Sequence, residues 1–458
     1  MEQLRALLLN NTTPIYFIDW CVFTALGMEE YIGNFQYICA TDTFDGRHPN
    51  VFVPKSYHYD HSLSSKEILN SLLRNEEVRA HIKSRGKGKV LLWLLDEETE
   101  RLAAELDLEI CLPPVAVRRH WDNKANTNRL AEKAGVPCVP YVLSTVKDYA
   151  HLRAISGHLG EQLVVQSPHG MSGMTTYFIS DETDFEKHRS AITNGDEMKI
   201  MRRINCRSAG LEACITRRGV AVTPLLVELV GCPEIAVYKG GWCGNEFFPN
   251  AFADYIIQQA RDYTVKMGEQ LRQVGYTGYF EPDYLVDLDD GTLYLGEMNL
   301  RFSGFTPLIN NTNQAHENIP LLLLHLAEWL DIEYELDIEA LNDKWIDQAN
   351  LSPLSFLHCK NVDTTPATPI PTGIYAMDPD GNLVFLRPAT NPKSLGESHE
   401  IFWLSTAGKE ARVERGNEFG ALFIRERVTA DGQHLTGKAK AWVAAVKRYA
   451  VEMEAVAT

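Results

Sequence analysis

Apolar and polar positions recur with different periods along the chain, and each change of period marks a new part. Up to about residue 118, short apolar runs are separated by amphipathic stretches. Residues 14–19 (PIYFID) and 37–41 are strand-like, 66–83 carry a helical pattern, and 89–95 (KVLLWLL) read as a buried strand. A helix over 97–106 and a short strand over 109–112 complete this run. Strands alternating with helices predict a parallel, Rossmann-like layer arrangement. No Gly-x-Gly-x-x-Gly occurs there, so the pattern does not support dinucleotide binding.

The middle of the chain reads differently. Asp122 is placed to cap a helix running to about Ala134, and Gly135 ends it ahead of Pro137 and Pro140. Residues 162–180 read strand, loop, strand: QLVVQ, SPHGMSGMTT, YFIS. A strand over 198–204 (MKIMRRI) and a hairpin made by 208–216 and 219–226 follow. In 250–274, Phe252, Ile256, Ala260, Tyr263, Met267, Leu271 and Val274 recur at helical steps, the stripe of a core-packing helix. It delivers the chain into 275–307, two strands about the turn Asp289-Asp290-Gly291. Thr312 or Asn313 is then expected to cap a helix over 315–330, with an acidic helix over 336–350.

Past residue 351 come a Pro/Thr-rich passage (364–371), short strands at 382–386 and 419–428, and a closing helix over 438–453. The expected class is α/β (α+β) in three parts. Residues 1–118 form the Rossmann-like part, 119–345 a central part with a lid at about 140–200, and 346–458 a strand-rich appendage covering the site.

Charge narrows the partners. Forty-four basic against 61 acidic residues leave −17, which argues against a broad nucleic-acid surface or a polybasic membrane patch. Nine cysteines without a Cys-x-x-Cys pair point to a reducing compartment rather than a zinc site. The N-terminal MEQLRALLLNN has no basic segment ahead of a cleavable apolar core, and no apolar run is long enough to span a bilayer. A cytoplasmic protein is the expectation.

The candidate chemistry lies in 275–307. Side chains two apart on a strand share a face, so Glu281 pairs with Asp283 on one arm, and Glu297, Asn299 and Arg301 share a face on the other. Pairing of the arms would converge several oxygen donors and one guanidinium on one patch. Oxygen-only donors suit a hard cation such as Mg²⁺, with Mn²⁺ as a second candidate. Spacing to Glu297 favours Asp283 over Glu281 as the first-arm ligand, and both remain candidates. The SPHGMSGMTT loop, with His169, Gly170, Ser172 and Gly173, has the glycines and hydroxyls to fold its backbone N–H groups over phosphates.

The run Glu297-Met298-Asn299-Leu300-Arg301 after an acidic strand resembles the metal site of the ATP-grasp superfamily. Asp122-x-Lys124, a helix, then Gly135-Val136-Pro137 and Pro140 resemble the entry to the ATP-grasp fold in biotin carboxylase. The likeness covers about residues 119–330 and implies ATP with Mg²⁺, activation of a carboxylate as an acyl phosphate, and attack by an amine. It implies that Lys124 contacts the nucleotide, that the 198–204 hinge, with Arg202 and Ile204, holds adenine and ribose, and that Arg301 stabilises the acyl phosphate. Glu212 is a candidate for the nucleotide pocket wall.

Two departures stand out. Gln166 occupies the place of a second phosphate-contacting lysine, leaving Lys187, Lys199, Arg202 or Arg203 to supply the missing charge. Arg202 and Arg203 stand where the family has an acidic hinge residue. Biotin carboxylase follows its arginine with Gln-Val-Glu-His, whereas Phe302-Ser303-Gly304-Phe305 looks more like the amino-acid and peptide ligases. The leading expectation is an ADP-forming ligase joining a small carboxylate to an amine, with small-molecule partners and a homodimer allowed by the resemblance. The alternatives are a nucleotide-binding pseudoenzyme and a biotin carboxylase-like carboxylase. Arg387, Arg425 and Arg427 read as solvated strand arginines rather than substrate ligands.

Overall fold

The computed structural model describes every residue except 61, 171–172, 313–314, 316, 349–352, 397–398, 410 and 458. The first apolar runs form a five-stranded sheet of β1 (Ile15–Asp19), β2 (Phe35–Cys39), β3 (Val51–Phe52), β4 (Gly88–Leu91) and β5 (Leu108–Ile110). Its order is β3-β2-β1-β4-β5 and every pairing is parallel. The span expected as one helix over 66–83 is two, Ser65–Arg74 and Glu76–Arg85. Asn75 separates them, because its side chain accepts the Glu77 and Val78 N–H groups and so starts the second helix.

The next layer is antiparallel, with β6 (Tyr141–Ser144), β7 (Leu163–Gln166), β8 (Thr176–Ile179) and β9 (Met198–Arg202) in the order β6-β9-β7-β8. Leu163, Val165, Ile179, Met198 and Ile200 face its helices and make a small core of their own. The helix entering this layer is Lys124–Ala134, and its cap is Asn123 rather than Asp122. Asn123 Oδ1 accepts the Ala125 and Asn126 N–H groups, a reach that Asp122, one residue earlier, does not have. Gly135 ends the helix at φ +67°, in the left-handed region that favours glycine.

The largest layer is a twelve-stranded sheet. Its first strands are β10 (Cys206–Gly210), β11 (Ala213–Thr216), β12 (Gly219–Val222), β13 (Leu226–Val230), β14 (Trp242–Phe247), β15 (Gly278–Asp287) and β16 (Leu293–Asn299). Residues 208–216 are therefore not one hairpin arm. β10 pairs with β13 and β15, while β11 pairs with β12 and the start of β15. The core-packing helix is Asp254–Gln273, with Ile256, Ala260, Met267 and Leu271 buried against the sheet. Pro320 opens a separate helix, Leu321–Trp329, within the span expected as one helix over 315–330, and Asn313 lies outside the described residues.

The C-terminal strands extend the same sheet. β17 (Leu354–Lys360) pairs with β14, and β21 (Glu418–Ile424), β20 (Glu400–Ser405), β18 (Gly373–Met377) and β19 (Leu383–Arg387) continue from it. Trp403, Leu422 and Tyr375 share one core with Tyr284 and Leu295 of the hairpin. No helix among the described residues is long and apolar enough to cross a membrane.

Candidate active site

The hairpin forms because Asp287 and Asp290 cap their own turn, accepting the Asp289 and Thr292 N–H groups, and Gly291 takes φ +75°. β15 and β16 then pair with Glu281 opposite Asn299 and Asp283 opposite Glu297. One irregularity matters. Tyr284 pairs with Leu295, so Gly296 is an extra residue on β16, a bulge. Without it, Leu295 and Glu297 would share a face. With it, Leu295 enters the core while Glu297 stays beside Asp283.

Both candidate first-arm carboxylates end up on the same patch. Asn299 Nδ2 donates to Glu281 Oε2 at 2.6 Å and to Asp283 Oδ2 at 3.2 Å, while its Oδ1 accepts from Arg301 at 2.8 Å. Lys124 forms a buried ion pair with Glu297. Glu228, from β13, lines the same cleft. Burial pushes the Glu281 carboxyl up to about 8, and burial with the charge of Glu281 pushes Asp283 well above the usual range. Glu228 is raised by burial and by Asp283 and Glu297. Glu297 alone is lowered: burial opposes its charge, but Lys124, Lys199 and Arg301 outweigh it.

The donor set fits a magnesium ion held together with phosphate. Glu281 Oε1 and Asp283 Oδ1 are buried on this patch without a hydrogen-bond partner. Among the described residues no three His, Cys, Asp or Glu side chains already form a closed metal cage. Mg²⁺ asks for one or two carboxylates and otherwise takes phosphate and water oxygens, so an open half-site is the expected form.

The patch lines a cleft of about 1550 Å³ that the lid sheet and the largest sheet share with the segments following β1 and β4. Val139, Val164, Met201, Ile204 and Leu285 form an apolar wall of the cleft between the lid sheet and the hairpin. Gln166, Gly170, Gly173 and Arg202 border the cleft, as do Lys124, Glu281, Asp283, Glu297, Asn299 and Arg301. Gly173 lies at φ +75° against the Gly240 carbonyl, where a Cβ would sit 2.2 Å from that oxygen. His169 is exposed, 3.5 Å from Asn123, and does not border the cleft. Ser172 lies outside the described residues.

Glu212 departs from its expected place. It is fully buried behind the cleft, accepting hydrogen bonds from Tyr279 (2.6 Å), Ser303 (2.9 Å) and Thr306, with its carboxyl pushed up to about 7 by burial. Its role is to hold the turn after Arg301. Lys187 pairs with Asp184 on the surface, Arg387 forks onto Glu400, and neither they nor Arg425 and Arg427 border the cleft.

Of the residues expected to make up for Gln166, Arg202 and Arg203 border the cleft, and Lys199 is buried next to Gln166. The two are directly opposed across β7 and β9, so their side chains leave the same face. The Gln166 amide donates to Thr176 at 3.1 Å, while the Lys199 ammonium reaches the Gly296 carbonyl, one residue from Glu297. Burial pushes Lys199 down to about 8, which leaves it mostly protonated at neutral pH.

Several positioning residues carried no signal as single letters. Arg118 Nε donates to the Leu300 carbonyl at 2.9 Å and fixes the strand end that carries Arg301. Trp93 lies under the Arg301 guanidinium, 5.7 Å from it, and donates to Asp19 at 3.1 Å. Glu228 was the most findable, a lone acid in the apolar run LVELV.

No family model matches the chain. The [butirosin acyl-carrier protein]–L-glutamate ligase of Niallia circulans is 27% identical over 241 residues, 50% of this chain and 55% of that protein. The chain thus spans about half the length of this curated relative. Among solved structures, biotin carboxylase from Campylobacter jejuni superposes with TM-score 0.63 at 13% identity, covering 93% of this chain and 88% of that one. The biotin carboxylase domain of Hydrogenobacter thermophilus 2-oxoglutarate carboxylase, a dimer bound to MgADP, ADP and bicarbonate, gives 0.61 at 12% identity over 97% and 90%. At these identities the superpositions speak for the fold. From the parallel first sheet through the lid to the last strands, the chain has the ATP-grasp fold of these structures.

Proposed function

We propose that the protein is an ATP-dependent carboxylate–amine ligase that activates a small acid or amino acid as an acyl phosphate and releases ADP and phosphate. The observation that carries this reading is the hairpin patch. Glu281, Asp283, Glu297 and Asn299 converge with Lys124 and Arg301, and two buried carboxylate oxygens lack partners.

A carboxylate meets ATP slowly because both are anions, so the site must neutralise charge. Asp283, Glu297 and either Glu281 or Asn299 would hold Mg²⁺, which would offset the phosphate charge. Lys124 would exchange its contact with Glu297 for a phosphate oxygen, and Lys199 would supply from β9 the charge that Gln166 lacks. The apolar wall around Met201 and Leu285 would take the adenine. The substrate carboxylate oxygen attacks the γ-phosphorus and ADP departs. Arg301, held by Asn299 and Trp93, then faces the acyl phosphate and the oxyanion formed as the amine adds. The C–N bond forms, phosphate leaves with the C–O electron pair, and the amine releases one N–H proton to the departing phosphate.

The relative from Niallia circulans is named for joining glutamate to an acyl-carrier protein, so amino acids head the acids to be tried. ATP breakdown would be followed with Mg²⁺ and pooled amino acids and small carboxylic acids, scoring ADP, phosphate and AMP separately. ADP and phosphate release that requires an added acid, and is lost in Glu297→Ala, is the expected result. Release of AMP and pyrophosphate overturns the mechanism, and ATP binding without turnover favours the pseudoenzyme.

A further inference from the structure

A second polar cluster faces the same cleft from the C-terminal strands and takes no part in the steps above. His358 and Lys360 lie two apart on β17 and share a face, and Glu418 on β21 stands directly opposite Lys360. All three border the cleft. Opposite charges facing each other across a ladder ordinarily pair. Lys360 makes no ion pair among the described residues and instead lies 5.5 Å over the Tyr238 ring. Glu418 Oε2 stands 3.3 Å from His358 Nε2 without hydrogen-bond geometry.

His358 is the unusual member. Its side chain is 3% exposed, yet neither ring nitrogen has a hydrogen-bond partner. Buried imidazoles are ordinarily satisfied, so this one is poised for a group that enters the cleft. Phe23 stacks on it at 5.4 Å and Trp242 lies 4.8 Å away, and both rings border the cleft with it. Despite burial, which pushes the Glu418 carboxyl up, His358 and Lys360 hold it below the usual range, so it stays anionic.

The cluster is one ring removed from the reacting centre. Trp242 packs so closely on Gly304, three residues after Arg301, that a Cβ there would stand 2.2 Å from the indole. The separated cation and anion, flanked by aromatic rings, match the two ends of a zwitterion. We propose that Glu418, His358 and Lys360 form the acceptor subsite, which binds a free α-amino acid with its ammonium on Glu418 and its carboxylate on Lys360. This rests on the ligase reading and names its amine substrate class. His358 adds one hydrogen bond, and the Tyr238 and Trp242 rings meet the amino-acid side chain.

Hydroxylamine separates this subsite from the activation site, because it traps an acyl phosphate as a hydroxamate without needing an ordered acceptor pocket. The acid found in the pool assay would be activated in the presence of hydroxylamine, of single L-amino acids, or of the matching decarboxylated amines. In Glu418→Gln, amide formed per hydroxamate formed should fall roughly ten- to a hundredfold, the loss expected for one charged hydrogen bond. Lys360→Met, which keeps the stem over Tyr238, should abolish the preference for an amino acid over its decarboxylated amine. Unchanged ratios in both variants overturn the subsite, as does a wild type that forms hydroxamate yet accepts only an acyl-carrier protein. A wild type that forms no hydroxamate overturns the ligase reading itself, and the subsite with it.

Discussion

The acidic hairpin and the lid sheet place their charged groups in opposite ways. On the hairpin, the working groups lie two residues apart on two strands that are neighbours in sequence, joined by a five-residue connection between Asp287 and Leu293. On the lid, the strand that leads into the glycine loop ends in neutral Gln166, and a lysine stands directly opposite it as Lys199, 33 residues later on the adjacent strand. A ligand reads position and charge and is indifferent to which strand supplies them. A missing lysine in a motif is therefore no measure of a missing charge in a site.

The sharpest way to break the comparison is to remove each source in turn. Glu297→Ala should lower ADP release about a hundredfold or more, because it would remove a proposed Mg²⁺ ligand and leave Lys124 buried without its partner. Assay of ADP at saturating ATP checks this, and near-normal turnover would deny the hairpin its role. Lys199→Met should cost roughly tenfold or more in kcat/KM for ATP, the scale of one charge-assisted hydrogen bond. Gln166→Lys alone should change little, since a second ammonium would crowd Lys199, but in the Lys199→Met background it should restore most of the loss. A large gain from Gln166→Lys in the wild type would instead mark a decayed site.

Smaller effects test the parts behind the cleft. Glu212→Gln should destabilise the fold by about 1–3 kcal/mol in urea titration, since one amide oxygen replaces a carboxylate that accepts from three hydroxyls. ATP affinity should be held to within a few-fold if Glu212 only supports the turn.

The slightest effect is pH dependence of stability. Glu281 and Glu212 are raised by burial to about 8 and about 7, so the folded state holds protons that the unfolded chain releases above the ordinary value of 4.5. Their contribution is complete below that value and is lost as pH rises toward 8. The melting temperature of the ligand-free protein should therefore fall between pH 6 and pH 8, and Mg²⁺ with ATP should narrow the difference.

Much of the site was legible because it follows local rules. The two-residue period placed Glu281 with Asp283 and Glu297 with Asn299, and the turn residues Asp289 to Gly291 paired the arms. The parallel first sheet was equally plain from its alternation of apolar strands and helices. Illegible were the groups whose partners are distant in sequence. Glu212 looked like a wall of the nucleotide pocket until Ser303 and Thr306 were seen to surround it. Which residues of the strand-rich C-terminal part reach the cleft was equally hidden, and it is the pairing of β17 with β14 that brings His358 and Lys360 there.

The sequence by itself determined the faces of the strands, the turn that closes the hairpin and the excess of buried acid that calls for a cation. Those properties depend on residues within a few positions of one another, where backbone period and side-chain chemistry suffice. Only the tertiary structure decided that Gly296 bulges so that Glu297 stays beside Asp283, that Lys199 stands opposite Gln166, and that Trp93 and Arg118 brace the segment ending in Arg301. Each of these depends on which strand lies next to which, and strand order is set by burial summed over the whole sheet, which no local window of sequence contains.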